Sequence, residues 1–111
     1  MSDEIFGCTF LPVSDDPHAA LRDRVFQTIY DGPAESAPAV RRAAGDRTGV
    51  PADLAALVDK IHRHAYKVTD EDLAGLRATY SDDQLFEIVV CAAVGASRRR
   101  LLAGLAALEA T

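Results

Sequence analysis

A chain of 111 residues with 49% hydrophobic residues and a formal net charge of −5 suffices for one globular domain and is too short for two. The acidic balance, with a pI near 5.0, opposes binding to nucleic acid or to an anionic membrane, because both demand a basic surface. Alanine fills 20 positions against 4 Phe, 3 Tyr and no Trp, so the core has to form by close approach of small side chains, which favours helices.

Residues 1–16 carry Ile5, Phe6, Phe10, Leu11 and Val13, interrupted by Gly7 and Pro12, and fit neither helical nor alternating spacing; they read as an extended arm. Met1 to Glu4 is acidic and no long apolar run follows, so neither a signal peptide nor a membrane span is expected. The first helix should open at Asp16-Pro17 and stop at Asp31-Gly32, with Leu21, Val25, Phe26 and Ile29 as its seam. Ser36 and Pro38 mark a short helix ending at Gly45, whose only large apolar residue is Val40. A third helix is expected from Pro51 to about Tyr66. Its residues Leu54, Leu57, Val58, Ile61 and Ala65 fall within about 100° of one another around the axis. Thr69, followed by Asp70, Glu71 and Asp72, starts a helix to about Thr79, since a hydroxyl cap and three carboxylates suit the positive end. Ser81-Asp82-Asp83-Gln84 is a capping box and opens the last helix.

That last stretch is apolar almost all round. Leu85, Phe86, Ile88, Val89, Val90, Ala92, Ala93 and Val94 leave a narrow polar stripe of Asp83, Glu87, Cys91 and Arg98. Such a helix has to be covered on several sides, and a chain this short has few elements to do so, which predicts self-association. Leu101, Leu102, Leu105 and Leu108 lie opposite Leu85 and Val89 on a continuous helix. The sequence therefore leaves two options, a break near Gly95 or one long helix serving two partners.

Candidate chemistry is sparse. Cys8 and Cys91 form no CxxC or metal-ligand spacing and suit a reducing cytoplasm. His62 and His64 point about 200° apart on a helix and cannot share one ion, so no metal site is expected; each reads as a boundary residue able to act singly as an acid or base. His18 reads as a solvated residue. Glu87 and Cys91 stand one turn apart. A neighbouring carboxylate raises a thiol pKa, which favours Glu87 held by an arginine such as Arg98 and Cys91 as a small core residue. Arg98, Arg99 and Arg100 spread around the axis and suit pairing with acidic groups across a subunit contact.

The order of signals in residues 50–108, VPADLAALVDKI, then AYKVTDEDLAGLRA, then YSDDQLFEIVVCAAVGASRRRLLAGL, resembles the C-terminal half of the alkylhydroperoxidase D-like, carboxymuconolactone decarboxylase-like superfamily. The resemblance implies an all-α fold whose long apolar helix is buried in homo-oligomers. Redox members of that superfamily carry a CxxC pair and a histidine on one helix, with a glutamate nearby. This chain lacks the pair, and Ser97-Arg98-Arg99-Arg100 replaces the Asn-Arg pair frequent late in the final helix. The expectation is therefore a single all-α domain of five to six helices over residues 1–111. It has an extended arm at 1–16 and a helical core at 50–108, and it assembles at least as a dimer through residues 85–108. Two functions follow: a non-redox structural or partner-binding oligomer without cofactor, or an enzyme of peroxidase or decarboxylase type using Glu87, Cys91 and one of His62 or His64.

Overall fold

A computed structural model describes residues 16–110, and the expected arm at 1–15 lies outside them. Among the described residues the fold is all-α: α1 (Ala19–Asp31), α2 (Pro38–Asp46), α3 (Ala55–His64), α4 (Asp70–Ala74) and α5 (Asp82–Ala110). None of these helices is long and apolar enough to cross a membrane.

Polar caps stand near the expected helix starts, although α1 opens at Ala19 with His18 at its cap, two residues after Asp16. At the start of α1 the Asp16 carboxylate accepts the His18 backbone N–H at 2.8 Å and pairs with Arg22 at 2.8 Å. Before α5, Ser81 N–H donates to Gln84 Oε1 at 2.9 Å and Gln84 N–H to Ser81 Oγ at 3.1 Å, a complete reciprocal cap. Thr69 N–H donates to Asp72 at 2.8 Å, and Lys60 of α3 grips the same carboxylate at 2.9 Å, tying α4 to α3.

Two elements differ from expectation, and an alternative left open for the last helix is decided. The third helix begins four residues late, since Leu54 and Ala55 first bond to Pro51 and Ala52 in a turn. It then tightens into a 3₁₀ turn at Ala65–Lys67 that leaves Ala65 exposed. The helix at Thr69 ends at Ala74 rather than Thr79. From Gly75 onward, Leu76, Arg77 and Thr79 donate to carbonyls three residues back, and this tighter winding keeps both Leu73 and Leu76 against the core. Gly95 does not break the last helix: α5 runs 29 residues, about 44 Å at the usual rise, along the 49 Å long axis of the molecule.

The core is Leu54, Leu57, Val58 and Ile61 of α3 packed with Leu85, Ile88, Cys91 and Ala92 of α5, closed by Tyr30 and Ala44. Its tightest feature is the contact of α2 with α5. Gly45 and Gly95 meet backbone to backbone: a methyl at Gly95 would overlap the Gly45 carbonyl oxygen and sit 2.6 Å from its Cα. On the neighbouring side the Tyr30 ring covers Gly45, where a methyl would come within 2.5 Å of the phenolic oxygen. The weak apolar content of α2 is thus explained. Its inward residues Arg41, Ala44 and Gly45 follow i, i+3, i+4 spacing, and Ala44 and Gly45 suit the contact by small size rather than apolar area.

Substituting Gly95→Ala should therefore destabilise the fold by about 1–3 kcal/mol through overpacking. Gly104→Ala, which meets nothing within 4 Å, should stabilise by about 1 kcal/mol through helix propensity. Urea unfolding of the two variants beside the wild type measures both signs.

Candidate functional site

Two of the four candidate side chains, Glu87 and Cys91, lie where α5 meets the loop between α1 and α2. Glu87, one turn into α5, projects at this loop. Its Oε2 accepts the Glu35 backbone N–H at 2.9 Å, and its Oε1 accepts the Ser36 N–H at 2.7 Å and the Ser36 hydroxyl at 2.5 Å. The loop donors are free to do this because they precede α2, whose first amides have no intrahelical acceptor. The Ser36 hydroxyl bond, aided by the Glu35 and Ser36 amides and the Arg41 charge, holds the Glu87 carboxyl below the usual glutamate value. Glu87 is thus held by backbone and hydroxyl donors and not by Arg98, which lies 3.7 Å from Asp23 and over the Phe26 ring at 5.0 Å.

Arg41 lies beneath this loop, 3% exposed. Nη1 donates to the Ile29 carbonyl at 3.1 Å and Nη2 to the Ser36 carbonyl at 3.4 Å, so one guanidinium bridges the end of α1 and the loop. Cys91 reaches the same Ile29 carbonyl, with Sγ at 3.9 Å, and is 1% exposed. Burial pushes its thiol above the ordinary cysteine value, with Glu87 adding to the shift and Arg41 opposing it. A sealed, protonated thiol is a poor nucleophile and a poor target for a peroxide.

The histidines lie elsewhere. His62 is 1% exposed rather than at the boundary, and both ring nitrogens are engaged: Nε2 with the Ala44 carbonyl at 2.8 Å and Nδ1 with Arg99 Nη1 at 2.9 Å. Arg99 is eight residues beyond Cys91, about 12 Å along α5. His64 is exposed, edge-on to Tyr66 at 5.9 Å. The structure therefore brings together Glu87 and Cys91 and separates them from both histidines. No group of three metal-ligating side chains occurs among the described residues. A surface depression of about 480 Å³ between the α4 turn and α5 is lined by Leu73, Arg77, Asp82, Asp83, Leu85, Phe86 and Val89 and contains none of the four.

Sequence reasoning missed Ser36 as a partner, Arg41 as a buried charge and Arg99 as the second ligand of His62. The signal for Arg41 was present, since it shares a helical face with Ala44 and Gly45; the other two depend on contacts 51 and 37 residues apart. Compared with models of known protein families, with curated proteins and with solved structures, the chain matches none.

Glu87→Gln would turn an amide donor toward the Glu35 or Ser36 N–H and should cost about 1–3 kcal/mol. Because the folded pKa of Glu87 lies below the ordinary 4.5, its stabilisation is whole above that pH and is lost as pH falls through the lowered value. Acid unfolding should consequently be less steep in the Gln variant. In a Cys8→Ser background, Cys91 should stay unmodified by an aromatic disulfide reagent in buffer and react at once in guanidinium; comparable rates in both would contradict its burial.

Proposed function

We propose that this chain is a non-redox helical scaffold that assembles with copies of itself through α5 and serves a structural or partner-binding role. The observation that carries the reading is the outward seam of α5. Phe86, Val90, Ala93, Ser97, Leu101 and Gly104 recur in three pairs, each pair separated by 11 residues, and Phe86 is 69% and Leu101 43% exposed. An 11-residue repeat is 3.67 residues per turn, close to the natural helix, so one straight stripe stays in line along the whole helix. Among the described residues the fully buried side chains of α5 are Leu85, Ile88, Cys91, Ala92, Gly95 and Ala96, and about 21 Å of helix follows in which Leu101 and Leu102 are exposed.

The interior supports the same reading. Glu87 has its acceptors occupied by a loop, Cys91 is sealed, and His62 has both nitrogens engaged. Glu87, Cys91 and His62 are thus committed to holding helices together, while His64 lies exposed beside Tyr66. The resemblance of residues 50–108 to the alkylhydroperoxidase D-like superfamily agrees with this reading, as a member whose dithiol chemistry is absent and whose oligomeric helix is kept.

Sedimentation velocity over a range of concentrations tests it. The wild type should sediment as a dimer or larger, and Phe86→Asp with Leu101→Asp should shift it to a monomer with unchanged helical circular dichroism. A monomeric wild type at every concentration, or an assembly indifferent to the two aspartates, overturns the proposal. So does peroxide turnover that disappears in Cys91→Ser.

A further inference from the structure

His62 is a titratable group that the proposed function does not use, and its surroundings are one-sided. A carbonyl oxygen can only accept and a guanidinium can only donate, so the Ala44 and Arg99 contacts fix the neutral ring with its proton on Nε2 and a lone pair on Nδ1. The same residue is held a second time, since Arg100 Nη2 donates to the His62 backbone carbonyl at 2.9 Å. From α5 it faces Arg99 and Arg100, and from the end of α2 it faces Arg47. On its own helix Asp59 is engaged by Arg47 at 3.2 Å and Arg63 at 3.1 Å.

From this geometry we infer that His62 is an acid-sensitive latch that pins the base of the outward half of α5 to α3 and the end of α2, and that acidification releases it. A second proton can enter only at Nδ1, where it removes the acceptor of Arg99 and places an imidazolium against a guanidinium. Three arginines then surround a fourth cation, and no carboxylate shares its hydrogen bonds. The inward anchors of α5 stop at Ala96, so the segment freed is the one that begins at Arg98, while the core from Leu85 to Ala96 keeps its packing. The release holds for one copy of the chain or for several, because every bond involved lies within a single chain.

The sign follows from linkage. Burial first, then Arg99, Arg47 and Arg100, hold the folded ring below the ordinary histidine value of 6.5 against the opposing Ala44 bond. The unfolded chain therefore takes up the proton earlier. The latch is whole above about pH 6.5 and weakens as pH falls below it, before Glu87 begins to protonate.

Hydrogen exchange followed by mass spectrometry, corrected for intrinsic rates, tests the latch at about pH 7.5 and about pH 5.5. In the wild type, amides of residues 98–104 should lose protection in acid while those of 88–96 keep theirs. His62→Asn offers Arg99 an acceptor that cannot take a proton, and its 98–104 amides should behave alike at both pH values. Unchanged wild-type protection, or an equal loss in the Asn variant, overturns the latch. Nitrogen-detected NMR of the wild-type ring keeps the inference falsifiable if the variant does not fold. It should show the proton on Nε2 at neutral pH, a midpoint below 6.5, and Arg99 and Arg100 amide shifts that move with the ring. A proton on Nδ1, or arginine amides indifferent to the titration, refutes it.

Discussion

The backbone contact between Gly45 and Gly95 sets the rest of the structure. It lets α2 lie on α5 at a distance no side chain would permit, and Ala44, Ala92 and Ala96 extend the same economy on either side. Close approach gains dispersion contacts and loses apolar area, since small residues have little to bury. A crossing of this kind has weak intrinsic register. Here the register is set by polar groups at its two ends: Glu87 takes the amides before α2, and His62 takes the Ala44 carbonyl near its last turn.

These polar anchors explain why residues that suggest chemistry in the sequence are used as fasteners. Arg41 is the most demanding of them. A buried guanidinium is costly to desolvate, and its hydrogen bonds run to the carbonyls of Ile29 and Ser36, while the nearby Glu87 charge offsets it through space. Loop, helix end and carboxylate thus form one connected group. Removing any member would leave buried polar atoms without partners, which is the usual means by which a small-residue interface acquires a unique arrangement. Cys91, tucked against the same Ile29 carbonyl, fills the space that a larger side chain would have to force open.

Local signals in the sequence were legible and long-range ones were not. The Ser81–Gln84 cap, the Asp16 and Asp72 carboxylates at helix starts, and the Leu54, Leu57, Val58 and Ile61 face all appear where spacing places them, because each is decided within one or two turns. The end of α4 was misjudged because tight i−3 winding satisfies the same Leu73 and Leu76 spacing as a helix does. Glu87 was matched to an arginine on its own helix, whereas its true partners are backbone amides about fifty residues away that no pattern of side chains reveals. His62 sits only about 80° from Leu54 around α3, at the rim of the apolar face, and α2 and α5 close over it.

The low amphipathicity of the final helix is the consequence of one straight rod meeting two environments. Up to Ala96 one side is spent on α2 and α3, and the opposite side carries Phe86, Val90 and Ala93. Beyond Ala96 no side chain of α5 is fully buried among the described residues; Leu101 continues the outer stripe and Leu102 borders the Gly45–Gly95 crossing. The apolar stripe that persists past Arg98 is the surface that the proposed assembly would cover. The arginines at 98–100 tie this part of the helix back to the rest of the fold: Arg98 reaches to α1, Arg99 and Arg100 to α3.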